Sequence, residues 1–209
     1  MKKIIFLFAF AVLYFTGTYA QNAKSILDKA SNSFMHSGSV CVEFSIKTLS
    51  NKNKSSAFSQ SGKAYIKGNK FKIETGEGIT WFDGKTQWTY VKSTNEVNVS
   101  NPDGEELAAI SPVAILGLYK AGYSLSNKGT KKNMYCIQMT PLKKNTGVGG
   151  YQIFIDKQSY HISSILILNK NGNKTTISVT KYQSGLSIAD NIFIFNKKDF
   201  PRAEVVDLR

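Results

Sequence analysis

The sequence predicts an α+β fold in which a curved antiparallel sheet of about 11 strands forms an incomplete β-barrel with helices covering its concave face. Three observations carry this reading. Apolar and polar residues alternate with a period of two through most of the chain. The intervening segments are short and rich in Gly, Asn and Asp, too short for the crossovers that parallel strands need. Only two stretches, one near the start and one in the middle, place apolar residues at helical intervals. So many twisted antiparallel strands tend to curl, and a curled sheet with one apolar face creates a hollow that side chains or a ligand must fill.

At the start, Met1-Lys2-Lys3 is a short basic segment, Ile4 to Phe15 is almost wholly apolar, and Thr18-Tyr19-Ala20 ends on a small residue. That is the pattern of a cleavable secretory signal over residues 1–20, and its apolar run is shorter than the roughly 20 residues a spanning helix needs. No Cys follows it to carry a lipid, so residues 21–209 are expected as one unanchored domain in an exported compartment. Ala23, Ile26, Leu27, Ala30 and Phe34 then recur at helical spacing, with Asn22 as a cap and Gly38 as the stop.

From Ser39 the period becomes two: Val40, Val42, Phe44 and Ile46 alternate with Cys41, Glu43, Ser45 and Lys47. Further strands are expected over 57–67, 70–75, 79–83, 86–92 and 96–100, with Asp83-Gly84 the sharpest hairpin signal. Residues 105–119 hold Leu107, Ile110, Val113, Ile115, Leu116 and Leu118 around Pro112, which reads as a helix interrupted by proline and apolar on nearly every side. Such a helix is either buried or covers something apolar that leaves. Strands resume over 123–129, 134–142, 151–157, 161–169, 174–182 and 192–196.

Composition narrows the function. With 20% charged, 42% apolar and 12% aromatic residues in a chain of 209, a disordered or low-complexity protein is excluded. The net charge of +13 raises the question of nucleic acid, but the lysines are spread along the whole chain with no dense basic run, so no nucleic-acid partner is expected and a solvated surface is. Cys41 and Cys136 permit one disulfide in an oxidising compartment and can equally be separate buried thiols. His36 and His161 lack the clustered spacing of a metal site, so neither metal nor cofactor is expected. No nucleophile elbow, Ser-His-acid order or phosphate loop occurs, and Glu105-Glu106 reads as charge at a helix start, so the chain is not expected to be an enzyme.

Several segments together carry a resemblance. The strand Gly62-Lys63-Ala64-Tyr65-Ile66-Lys67 followed by Phe71, the hairpin Trp81-Phe82-Asp83-Gly84-Lys85-Thr86-Gln87-Trp88-Thr89-Tyr90, the helix from Ser111-Pro112-Val113-Ala114-Ile115-Leu116 and the tail from Phe200-Pro201 stand in the order found in one family. In these motifs the chain resembles the LolA family of periplasmic lipoprotein carriers, from about Ala23 onward. The resemblance implies a LolA/LolB-like half-barrel whose helical lid and concave face enclose an apolar cavity for acyl chains. It also implies a periplasmic location and acylated lipoproteins as cargo. The expected partners are an inner-membrane ABC-type extractor resembling LolCDE and, further on, an outer-membrane acceptor, with the carrier itself a monomer. A lipid- or lipoprotein-sensing module on the same scaffold is the alternative, because fold does not fix function.

On this reading the candidate cavity residues are Phe44, Ile46, Phe71, Ile73, Trp81, Trp88 and Tyr90 from the strands, and Leu107, Ile110, Val113 and Leu116 from the lid. Alternation alone does not say which strand face turns inward. Pro112 is the expected flexing point. Members of the family clamp the lid with an arginine just after the Gly-x-x-x-x-Lys strand, whereas this chain reads Lys67-Gly68-Asn69-Lys70 and has no arginine before Arg202. Lys67 and Lys70 are the candidate lid contacts, and a flexible ammonium lacks the planar guanidinium fork, so a looser lid or another closing device is expected.

Overall fold

The computed structural model describes residues 15–52, 56–104, 106–107, 114–120, 122–143 and 146–209. Helix α1 (Phe15–His36) turns at Gly38, whose φ of +66° suits glycine, into β1 (Ser39–Leu49). A meander of β2 (Ser56–Lys67), β3 (Lys70–Thr75), β4 (Gly78–Phe82), β5 (Gln87–Val91) and β6 (Glu96–Ser100) follows. The short helix α2 (Ile115–Leu118) leads to a second meander of β7 (Tyr123–Lys131), β8 (Met134–Pro141), β9 (Val148–Asp156), β10 (Ile162–Asn169) and β11 (Lys174–Leu186). Two 3₁₀ turns, Asp190–Phe193 and Lys197–Asp199, precede β12 (Glu204–Asp207).

All twelve strands form one sheet in the order β12-β6-β5-β4-β3-β2-β1-β11-β10-β9-β8-β7. The pairing of β1 with β11 joins the two meanders, from Ser39 opposite Leu186 to Leu49 opposite Lys174. The ends β12 and β7 do not pair, so the curved sheet stays open. Local chemistry sets the turns: Asp83 Oδ1 accepts from the Lys85 and Thr86 amides at 2.9 and 2.8 Å, and Gly84 takes φ +105°.

One expectation is corrected. Residues 192–196 are not a strand: Asp190–Phe193 is a 3₁₀ turn and Ile194 is extended without a sheet partner, because the aromatic residues here lie against a sheet face and do not extend its edge. The last strand is instead β12, which pairs with β6 in parallel and so departs from the otherwise antiparallel sheet. Of the helix expected over 105–119, residues 105 and 108–113 lie outside the described residues, Glu106 and Leu107 are helical, as is Gly104 before them, and α2 forms its last part. Cys41 and Cys136 are free. Their strands stand four spacings apart in the sheet, about 19 Å, well beyond the roughly 7 Å limit for a bridge.

Apolar surface changes side along the sheet. On β1, β2 and β3 the buried residues Val40, Val42, Phe44, Ala64, Ile66, Phe71 and Ile73 share the face that α1 and α2 cover, and Ile137, Met139, Ile153, Ile155 and Ile165 continue it on β8, β9 and β10. Registers Trp81↔Trp88↔Val99 and Ile79↔Tyr90↔Val97 put these six residues of β4, β5 and β6 on the opposite face, while Phe82 at the end of β4 stays beside Phe71 on the helix-covered side. There the C-terminal segment covers them: Phe200 meets Trp81 edge-on at 5.5 Å and Tyr90 at 4.7 Å, and Phe195 meets Trp81 at 5.6 Å. Phe200→Ala should therefore destabilise the chain by about 2–3 kcal/mol and red-shift its tryptophan fluorescence in the native state, measured by urea unfolding. An unchanged midpoint would show that this aromatic layer is not part of the cooperative unit.

Candidate functional site

The helix-covered face contains an apolar cavity of about 60 Å³. Val42 and Phe44 of β1, Ala64 and Ile66 of β2, and Ile177, Val179 and Tyr182 of β11 form its floor. Ala30 and Phe34 of α1 and Leu116 of α2 roof it, and Tyr160, His161, Ile162 and Ile165 close one side. Two bulges shape this wall. The β1–β11 register jumps from Glu43↔Lys181 to Phe44↔Val179, so Val179 and Tyr182, three residues apart, both face the cavity. The β9–β10 register skips Ser163 in the same way and turns Ile162 and Ile165 to one side. Gly62 lies opposite Phe44, and a Cβ there would meet the Phe44 ring at 2.4 Å and the Glu74 carbonyl at 2.7 Å, so glycine is what lets the ring lie flat across β2.

A second hollow of about 350 Å³ adjoins the first and shares Phe34, Ile66 and Leu116 with it. Phe71, Phe82, Leu107 and Ala114 line it, with Asn69 and Lys120 among its polar residues. The three shared side chains are the partition between the two spaces. A void of roughly 150 Å³ is what one benzene occupies, so the 60 Å³ cavity is largely filled by its own walls.

The sequence-derived candidates divide. Phe44 and Leu116 line the cavity, while Phe71, Leu107 and Leu116 line the second hollow. Ile73 is buried beside Phe44, and half-buried Ile46 packs on the same group, neither lining a hollow. Trp81, Trp88 and Tyr90 are corrected: the register puts them on the other face of the sheet, where Trp81 and Tyr90 meet the C-terminal aromatics. Ile110, Pro112 and Val113 lie outside the described residues. Lys67 and Lys70 both bind Asp190, at 2.6 and 2.8 Å, and Lys67 also donates to the Ile188 carbonyl at 3.0 Å. They hold the C-terminal segment, and their ammonium groups keep the Asp190 carboxyl down at about 2. The same pleat parity that places Cys41 outward places both lysines outward.

Another contact ties α2 down. The Tyr119 hydroxyl, just after α2, donates to Asp28 Oδ1 of α1 at 2.6 Å, and Asp28 Oδ2 accepts from Lys24 at 2.8 Å. Burial, then the hydrogen bond to Asp28, pushes Tyr119 up to about 12, so it remains a donor across the physiological range. The sequence held no signal for this pair because its members are 91 residues apart. Tyr160 and His161 were equally hidden: Tyr160 takes φ +57° at the end of a turn in which Asp156 Oδ1 accepts from the Gln158 and Ser159 amides, and His161 stacks on Tyr182 at 4.0 Å. Burial holds the imidazole below its ordinary value, against a smaller pull from Asp156.

A family model described as outer membrane lipoprotein carrier protein LolA matches residues 14–173. Among solved structures, an uncharacterized conserved protein from Thermus thermophilus aligns with a TM-score of 0.58 at 14% identity, covering 89% of this chain and 99% of that one. A putative outer membrane lipoprotein-sorting protein domain from Vibrio parahaemolyticus aligns with a TM-score of 0.50 at 11% identity, covering 88% of this chain and 100% of that one. At these identities the two structures share the fold. No match was found among curated proteins.

Two outcomes follow from the geometry. Tyr119→Phe should leave the fold intact, lower stability by about 1–2 kcal/mol and speed hydrogen exchange of amides 114–120 more than elsewhere; uniform exchange would mean that the bond does not hold α2. His161 has a folded-state pKa below the unfolded value of 6.5, so the unfolded chain binds more protons in that window and stability falls as pH drops through it. His161→Phe should therefore lose less stability than the parent between about pH 7.5 and pH 5, followed by thermal unfolding. Parallel curves would remove His161 from the buried wall.

Proposed function

The chain belongs to the LolA family of outer membrane lipoprotein carrier proteins, and we propose that it is a periplasmic carrier that takes the acyl chains of lipoproteins into the space between α1, α2 and the sheet and shuttles them from the inner to the outer membrane. The observation that carries this reading is the paired hollow on the helix-covered face, whose walls in the 60 Å³ part are almost wholly hydrocarbon. Each methylene withdrawn from water contributes roughly 0.8 kcal/mol, which is why an acylated protein needs such a shield to cross an aqueous space.

The filled state of the cavity supports reversible loading. Phe34 and Leu116 occupy the space between the hollows, so an incoming chain replaces protein hydrocarbon with ligand hydrocarbon and the net affinity is the difference of two burials. Displacing α2 breaks the Tyr119–Asp28 bond, a modest cost that a long chain offsets.

Export by a signal over residues 1–20 fits α1, because cleavage after Ala20 spares Ala23, Ile26, Leu27 and Ala30, the residues that pack on the sheet. Among the described residues, no helix is long and apolar enough to cross a membrane. An inner-membrane ABC-type extractor resembling LolCDE supplies the cargo in this proposal, and an outer-membrane acceptor receives it.

The test is release of a tagged lipoprotein from proteoliposomes that contain the extractor. The parent chain should form a stoichiometric soluble complex. Phe44→Glu and Leu116→Glu should lose at least about tenfold in loading with far-ultraviolet circular dichroism unchanged. Ala30→Leu fills the cavity without adding charge and should weaken loading if the acidic variants fail to fold. Binding of lipoprotein that leaves the membrane content intact would instead identify a sensor.

A further inference from the structure

The side of the cavity formed by the β9–β10 turn is unlike the rest. Tyr160 belongs to the cavity wall, yet its hydroxyl accepts from Lys29 Nζ of α1 at 3.4 Å, and the same ammonium lies 5.3 Å from the centre of its ring. Tyr160 stacks on Tyr135 of β8 with centroids 6.1 Å apart, and Lys157 Nζ lies 5.2 Å from the Tyr135 ring centre. The result is a continuous row, Lys29, Tyr160, Tyr135 and Lys157, running outward from the apolar wall.

Neither ammonium forms an ion pair among the described residues. The carboxylates nearest in the chain are already engaged: Asp28 with Lys24 and Tyr119, and Asp156 with the amides and hydroxyl of its own turn. The β7–β8 turn adds positive charge at the same corner. Its Asn133 carbonyl accepts from the Lys157 amide at 3.2 Å, and Lys131 and Lys132 beside it are exposed. Cations resting on aromatic faces are partly desolvated and oriented, which prepares them to meet an anion. The backbone of Tyr160 is held left-handed, a conformation disfavoured for a bulky side chain, and its ring meets both the cavity and Lys29.

We infer that the row Lys29–Tyr160–Tyr135–Lys157 is a headgroup site for an amphiphile with an anionic headgroup, whose hydrocarbon enters the adjoining cavity. The inference rests on the cavity's being a hydrocarbon site, and it goes further. The esters and amide of an acylated cysteine carry no charge and call for no cation, whereas a phosphodiester is complementary to an ammonium that has no ion-pair partner among the described residues and rests beside an apolar wall, Lys29 on Tyr160 being the nearer and Lys157 adding to the field.

The experiment measures binding of monomeric short-chain phosphatidylglycerol and phosphatidylcholine with matched chains, with the neutral probe N-phenylnaphthylamine reporting on the cavity alone and inorganic phosphate as competitor. The parent chain should bind phosphatidylglycerol at least about tenfold more tightly than phosphatidylcholine at low salt, with the preference shrinking as salt rises. Lys29→Glu with Lys157→Glu should reduce the preference to within about twofold while leaving probe affinity unchanged, and Lys29→Arg with Lys157→Arg should retain it. Equal affinity of the parent for the two lipids, with the probe still bound, overturns the headgroup site and leaves the carrier reading standing. Competition by phosphate as effective as by the lipid would assign the cations to a free anion and also overturn it. Failure of the parent to bind the probe would overturn the cavity reading, and the headgroup site with it.

Discussion

The structure depends on the pleat of one continuous hydrogen-bonded sheet. Twelve strands share a single ladder, so each side chain's face is decided by the register of its strand with its neighbours, and every apolar face so created has to be covered. In β1, β2, β3 and β8, β9, β10 the apolar residues turn to the side that α1 and α2 cover. In β4, β5 and β6, Ile79, Trp81, Trp88, Tyr90, Val97 and Val99 turn to the other side, and the C-terminal segment covers Trp81 and Tyr90 with Phe195 and Phe200. Helices and C-terminal strap thus serve one requirement on opposite faces of the same sheet. The strap is fastened at its start by Lys67 and Lys70 on Asp190 and at its end by the parallel ladder of β12 on β6.

Separating the two cores leaves the helix-covered side free to be imperfectly filled. A core that also carried the stability of β4, β5 and β6 would tolerate little vacancy, since each lost contact there is felt as a packing defect. Here Phe34, Ile66 and Leu116 partition two adjoining hollows, and one hydroxyl–carboxylate bond, Tyr119 to Asp28, fastens the short helix above them. The Lys24 ammonium and the Tyr119 hydrogen bond keep the Asp28 carboxyl below its usual value, so the acceptor stays ionised. The Tyr119–Asp28 bond thus ties α2 to α1, whereas Lys67 and Lys70 hold Asp190 of the C-terminal segment.

What the chain determined unaided is what depends on neighbours close in sequence. The alternation of Val40, Val42, Phe44 and Ile46, the Asp83-Gly84 turn and the spacing of Ala23, Ile26, Leu27 and Ala30 each set an element, because pleat, turn and helix are satisfied by bonds within a few residues. The LolA resemblance was legible for the same reason: its motifs are such local elements in a given order. Residues 192–196 had the right period for a strand and became a strap, since pairing with an edge is a non-local choice.

Only the tertiary structure decided which face is which. Period two is symmetric between the faces, so Trp81, Trp88 and Tyr90 read as well for the cavity as Phe44 did until the register excluded them. The bulges opposite Glu43–Phe44 and at Ser163 break the alternation and bring Val179 with Tyr182, and Ile162 with Ile165, to one wall. Tyr119 with Asp28, Lys29 with Tyr160, and the separation of Cys41 from Cys136 follow from the pairing of β1 with β11, a contact between distant parts of the chain. A one-residue change in that register would exchange the two faces, and no local sequence pattern carries that information.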